Sequence, residues 1–201
     1  MIRLGVLISG SGSNLQAIID AVIDGSLQAE VVVVIASRPD AYGLQRAQQA
    51  GIQTRALDRS VYVDPVAADQ VIVQELKAAE VDYVVLAGYM RKVLPPLLEA
   101  YPNRIINLHP AILPAFQGGQ AILDAWLSGV KLTGVTVHFV DADYDRGPII
   151  AQRAVPVLED DSLDSLTERI HATEHQLLPE VLQLISTGRV QLLDDGKVKI
   201  Q

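Results

Sequence analysis

The chain has 201 residues, 49% of them hydrophobic and 20% charged, with a formal net charge of −8 and no cysteine. That length fits one domain with a sizeable buried core, and the composition lies far from that of a disordered chain. The acidity argues against a nucleic-acid partner, which needs surplus Lys and Arg for phosphates. The missing cysteines exclude disulfides, thiolate zinc sites and a thiol nucleophile. The apolar run near Met1 is too short for a signal-peptide core, and no stretch approaches the ~18 apolar residues of a membrane span. A cytoplasmic protein with no membrane partner is expected.

In chain order, Leu4 to Ser9 reads as a strand. A Gly/Ser turn and a helix from about Asn14 to Asp24 follow, ended by Gly25. The β-branched run Val31 to Ala36 marks a strand covered on both faces. A helix near Tyr42 to Ala50 stops at Gly51, and a weaker strand spans Ile52 to Leu57. Pro65 to Ala79 reads as a helix, Val81 to Ala87 as a strand, Pro95 to Tyr101 as a short helix and Arg104 to Leu108 as a strand. This alternation means βαβ units, a mostly parallel sheet and a doubly wound α/β fold with helices on both faces.

The second half changes pattern. A helix from about Gly119 to Ser128 ends at Gly129. Thr133 to Val140 alternates, with Val135, Val137 and Phe139 on one face and Thr136, His138 and Val140 on the other. The loop Asp141 to Pro148 is short enough that the strand Ile149 to Val157 should run antiparallel to it. Ser162 to about Ser186 is an amphipathic helix in which Pro179 predicts a kink or break. A small hairpin closes the chain around Asp195-Gly196. Residues 1–201 are thus read as a single domain, with its core ending near residue 189 and a tail over 190–201.

Polar residues gather at strand ends. Ser9-Gly10-Ser11-Gly12-Ser13-Asn14 lies between the first strand and helix, where exposed N–H groups can hold an anion. It lacks the third glycine of a dinucleotide fingerprint and the lysine of a P-loop, and a plain capped turn is the other reading. Gly88-Tyr89-Met90-Arg91 follows the fourth strand, where Arg91 either pairs with a carboxylate or lies on the surface. Asn107 and His109 share a face of the fifth strand, two residues apart, and Pro110 fixes the backbone after them. Asp145 lies in the loop over the same edge, where it either holds a tautomer of an imidazole or supports a turn before Gly147. His138 is read as a core histidine. His171 and His175 sit four apart on a helix, but without a third ligand they give no metal site.

Gly12-Ser13-Asn14-Leu15-Gln16, Leu86-Ala87-Gly88-Tyr89-Met90-Arg91, Asn107-Leu108-His109-Pro110, Leu113-Pro114-Ala115-Phe116, Gly134 to Val140 and Asp145-Arg146-Gly147-Pro148 occur in the order seen in phosphoribosylglycinamide formyltransferases. The chain closely resembles this folate-dependent family of purine synthesis from about Arg3 to Arg189. The resemblance implies a Rossmann-like formyltransferase fold: an open, mostly parallel twisted sheet with an antiparallel C-terminal strand pair. It implies glycinamide ribonucleotide and 10-formyltetrahydrofolate as substrates, no metal, and a monomer or homodimer.

By the same resemblance, Gly12, Ser13 and Asn14 match the substrate-phosphate loop, and Glu174 matches a ribose-contacting glutamate. Met90, Arg91, Lys92 and Val93 match the folate segment, Asp141 to Asp145 match the pterin wall, and Asn107 and Asp145 are shared with the folate site. Asn107, His109 and Asp145 match the catalytic set. Three departures bear on ligand affinity. Pro65 stands where the family often has an arginine, with Arg59 as a candidate replacement. Ala111 replaces a serine, and Gln117 replaces the proline of Phe-Pro-Gly.

The implied reaction is direct attack of the substrate amine on the formyl carbon through a tetrahedral intermediate. Asn107 and protonated His109 would stabilise the oxyanion, and Asp145 would support the proton transfer. A related formyl-folate hydrolase or tRNA transferase is one rival. These usually carry an extra N- or C-terminal domain, for which 201 residues leave no room. A non-catalytic ligand-binding protein on the same fold is the other.

Overall fold

Val33, Val34, Ile35 and Ala36 are all fully buried, because the strand that carries them has helices packed on both sides. In the computed structural model, which describes residues 1–58 and 60–201, that strand is β2 (Ala29–Ala36). It pairs with β1 (Ile2–Ile8) on one side and β3 (Gln53–Ala56) on the other. The sheet continues through β4 (Tyr83–Leu86), β5 (Ile105–His109), β6 (Leu132–Phe139) and β7 (Ile149–Pro156) in the order β3-β2-β1-β4-β5-β6-β7. A separate two-stranded sheet joins β8 (Val190–Leu192) to β9 (Val198–Ile200), as the terminal hairpin expectation had it.

The helices are α1 (Ser13–Ile23), α2 (Gly43–Gln49), α3 (Pro65–Ala78), α4 (Pro95–Ala100), α5 (Ala121–Ser128) and α6 (Leu163–Ser186). Each strand face feeds a different core. Leu4, Val6, Val85, Ile106, Val135 and Val137 pack with Leu15 and Ile18 of α1 and Leu166 and Ile170 of α6. Leu7, Val33, Val84 and Ile105 pack with Ile72 and Leu76 of α3 and Leu97 of α4. The period-two alternation of each strand therefore becomes a sheet buried on both sides.

Three details differ from the sequence reading. A short 3-10 helix over Val61–Val63 precedes α3. β6 is antiparallel to β5 as well as to β7, so it is the reversed strand of an otherwise parallel seven-stranded sheet. Pro179 does not break its helix, for α6 runs unbroken from Leu163 to Ser186. A proline there removes one helical hydrogen bond at a cost of about 3 kcal/mol. Burial of Leu177, Leu178, Val181 and Leu182 around it offsets that cost.

Pro65 opens α3, where its fixed φ suits a first helical position. The Asp64 carboxylate accepts the N–H groups of Val66 and Ala67 at 3.0 and 3.2 Å and so caps the helix. Arg59, the candidate replacement for an arginine at this place, lies outside the described residues. Among the described residues, no helix is long and apolar enough to cross a membrane.

Candidate active site

The strand order reverses between the parallel neighbours β1 and β4, and open parallel sheets bind ligands beyond the carboxyl ends of strands at such a point. A cleft of about 660 Å³ lies there, lined by residues 9–14 after β1, 87–91 after β4, 107–110 of β5 and its exit, and Asp145, His171 and Glu174. A larger groove of about 850 Å³ runs between α1 and α6, but none of Asn107, His109 and Asp145 lines it.

The phosphate-loop candidate is built around Gly12, whose φ of 71° is left-handed. A Cβ at Gly12 would lie 2.6 Å from the Cα of Gly43, so only glycine permits this approach of two backbones. No side chain caps α1, which leaves its first N–H groups facing the cleft for an anion. Asn14 donates from Nδ2 to Oε2 of Glu174 at 2.9 Å, and this bond ties α1 to α6. Glu174 is 5% exposed, and its burial raises the carboxyl above the ordinary carboxylate range. Asn14 Oδ1 is buried with no hydrogen-bond partner.

Asn107 and His109 project from the same face of β5, as the alternation implied. That face is opposite Ile106 and Leu108, which pack with α1 and α6. His109 is 4% exposed, and its ring has an acceptor on each side. Nε2–H donates to the Phe116 carbonyl at 2.8 Å, while Nδ1 lies 3.5 Å from Oδ2 of Asp145. Two acceptors around one imidazole are the complement of its doubly protonated form.

Asp145 is itself 7% exposed and takes a left-handed φ of 53°. Its Oδ2 accepts the Gly118 N–H at 3.0 Å, and its main-chain oxygen accepts the Gln117 amide Nε2 at 3.2 Å.

His138 belongs to this constellation too, a role that the core reading did not foresee. It is 2% exposed and pairs across strands with Asn107. Its Nδ1–H donates to the Phe139 carbonyl at 2.8 Å, and burial lowers its pKa. The neutral ring therefore presents a bare Nε2, which accepts an Asn107 Nδ2–H at 3.2 Å and lies 4.0 Å from Oδ1 of Asp145. One Asn107 N–H is thus spent on His138 and the second is left for the cleft. The signal that could have identified His138 was its alternation onto the same side as Thr136, opposite the apolar face of β6.

Thr136 holds the loop after His109. Its Oγ1 donates to the Ala111 carbonyl at 2.7 Å and accepts the Leu113 N–H at 3.1 Å. Ala111 is fully buried, where a serine hydroxyl would need a partner of its own.

The folate-segment candidates lie on the other side of Asn107. Met90 is 69% exposed, Val93 is buried, and the Arg91 guanidinium stacks over the Tyr62 ring at 4.3 Å. Lys92 is exposed. The Met90 N–H donates to Ser9 Oγ at 2.9 Å, and Ser9 in turn bonds Ser37 at 2.7 Å, which joins the first loop to this segment. A narrow cavity of about 40 Å³ adjoins Arg91, Asn107, His138 and residues 141–145. Asp141 points its carboxylate into its own loop, where it accepts the Asp143 N–H at 2.9 Å. His171 and His175 stack on α6 with ring centroids 6.4 Å apart.

The formyl transferase family matches residues 2–182. The chain is 41% identical over 191 residues to phosphoribosylglycinamide formyltransferase of Escherichia coli (strain K12), covering 95% of this chain and 90% of that protein. It is 42% identical over 196 residues to the human trifunctional purine biosynthetic protein adenosine-3, covering 98% of this chain but only 19% of that much longer protein. Among solved structures, glycinamide ribonucleotide transformylase 1 from Symbiobacterium toebii superposes with a TM-score of 0.96 at 50% identity, covering 100% of this chain and 94% of that one. With the family matched over most of its length and the same sheet, this chain belongs to the formyl transferases.

Proposed function

We propose that this chain is a phosphoribosylglycinamide formyltransferase, working as one domain over residues 1–201, with 10-formyltetrahydrofolate as donor. The observation that carries the reading is the convergence of Asn107, His109 and Asp145 on one buried edge, beside the uncapped start of α1.

In this reading Gly12, Ser13 and Asn14 hold the phosphate of glycinamide ribonucleotide, and Glu174 receives its ribose. The substrate amine attacks the formyl carbon; the new C–N bond forms as the carbonyl electrons move onto oxygen. The free Asn107 N–H donates to that oxyanion, a donor worth about 3–4 kcal/mol in such a hole, and the His109 ring beside it stabilises the negative charge through its own charge. Asp145 supports the charge on His109 while the amine proton passes to the folate nitrogen. Collapse then breaks the bond from carbon to that nitrogen. These steps require neither a metal nor a covalent intermediate.

Met90, Arg91, Lys92 and Val93 would hold the donor, with Asn107, Asp141 and Asp145 bordering its ring. The cavity of about 40 Å³ beside Arg91 has room for a few waters only, and it adjoins the cleft of about 660 Å³ that Arg91, Asn107 and Asp145 also line. The substrates are of the kind met in the cytoplasm, and the reading is compatible with a monomer or a homodimer.

The test is donor consumption with 10-formyl-dideazafolate, followed by absorbance with and without glycinamide ribonucleotide. Consumption only with the ribonucleotide is expected. Consumption without it would make the protein a hydrolase, and none in either case would make it a binding protein.

A further inference from the structure

We propose that Gln117 is a positioning residue, whose side-chain amide aims the Asp145 carboxylate at His109. The kinetic consequence rests on the formyl-transfer reading; the geometry does not.

Asp145 is held from both sides of its turn. Its φ of 53° falls in the left-handed region, which a side chain other than Asn or Asp rarely adopts and which glycine fills most easily. On its C-terminal side the chain is pressed against β6, for a Cβ at Gly147 would sit 1.9 Å from the Phe139 carbonyl oxygen. The opposite side is held by residues 116–118, which grip Asp145 at two points. Gly118 N–H reaches its Oδ2 at 3.0 Å, and Gln117 Nε2 reaches its main-chain oxygen at 3.2 Å.

One grip on the carboxylate alone would let the main chain pivot. One on the main chain alone would let the carboxylate turn about Cα–Cβ. Together they direct Oδ2 to His109 Nδ1 at 3.5 Å and leave Oδ1 4.0 Å from His138 Nε2. Those two imidazoles are the basic groups whose nitrogens lie within 4.0 Å of this carboxylate among the described residues.

The same three residues hold the partner ring, since the Phe116 carbonyl accepts His109 Nε2–H at 2.8 Å. Residues 116–118 therefore set both members of the pair. Two of their three contacts are made by main-chain groups, which most residues would supply. The third comes from the Gln117 side chain, and the proline that the resemblance leads one to expect here has no such donor.

The experiment uses Gln117→Met, which keeps the length and removes the amide, and Gln117→Lys, which keeps an N–H donor. Amide exchange in the ligand-free chain reads the positioning directly. In the methionine variant, Gly118 N–H should exchange about five- to tenfold faster, with Ile72 and Val85 in the two cores unchanged. The lysine variant should retain the protection. In turnover, the methionine variant should lose about tenfold in kcat with the KM of both substrates within twofold. Unchanged Gly118 exchange overturns the proposal, as does a raised KM with kcat intact. If the wild-type chain fails to transfer formyl to glycinamide ribonucleotide, the functional reading falls and the Gly118 exchange still decides this one.

Discussion

The His109 ring lies between the Phe116 carbonyl and the Asp145 carboxylate, so its charged form has a partner at each nitrogen. Replacing Asp145 by Asn keeps the shape and a partner for Gly118 N–H but removes the negative charge. The expected result is a loss of about 10²–10³ in kcat with little change in either KM, because the missing interaction strengthens only as charge develops. Near wild-type kcat for Asp145→Asn from pH 6 to 9 would sink the role given to it. His109→Ala should lose a similar factor, read in the same assay. At this scale Asn107 and His109 were legible because a strand fixes its faces by alternation alone. His138 was not, because its pairing with Asn107 depends on β6 running antiparallel to β5, a long-range choice that local pattern does not encode. The Gln117 contact was illegible for the same reason, since it joins residues 28 apart in sequence.

Elements place these groups, and the tightest joint is between β6 and the loop that returns to β7. Gly147 packs against the Phe139 carbonyl so closely that a Cβ would lie 1.9 Å from that oxygen and 3.3 Å from the Asp141 amide nitrogen. Both obstacles are backbone, so nothing can rotate aside. Gly147→Ala should therefore push the 141–147 loop off the strand, costing about 1–3 kcal/mol in urea unfolding. It should lower kcat as Asp145 moves from His109; a variant with wild-type turnover would show that the loop adapts without disturbing the pair. Strand and helix positions were largely readable here, since β-branched runs and apolar periodicity are local signals. The unbroken α6 was less so. Pro179 is a local signal for a break, while the packing of Leu178, Val181 and Leu182 that outweighs it is tertiary.

For the whole molecule, two carboxylates act on stability in opposite directions as pH changes. Asp161 is paired with Arg169 at 2.7 Å, and that bond holds its carboxyl well below the ordinary range. Its contribution is present above pH 3.8, the unfolded value, and is lost as pH falls through the lower folded value. Asp69 does the reverse. It sits buried on α3 and accepts the Leu94 N–H at 2.7 Å, joining α3 to the start of α4, and burial pushes its pKa from 3.8 to about 6. Below pH 3.8 both folded and unfolded chains carry its proton. Between 3.8 and about 6 only the folded chain does, so stability falls as pH rises through that window and then levels off. Asn at this position retains an oxygen for the Leu94 N–H but never ionises. The stability of Asp69→Asn minus that of the wild type should therefore grow by up to about 3 kcal/mol between pH 3.5 and 7, the equivalent of roughly two pKa units. Urea unfolding of both chains across that range measures the difference. A difference that stays flat would mean that Asp69 ionises inside the fold as easily as outside it, with water reaching the α3–α4 joint.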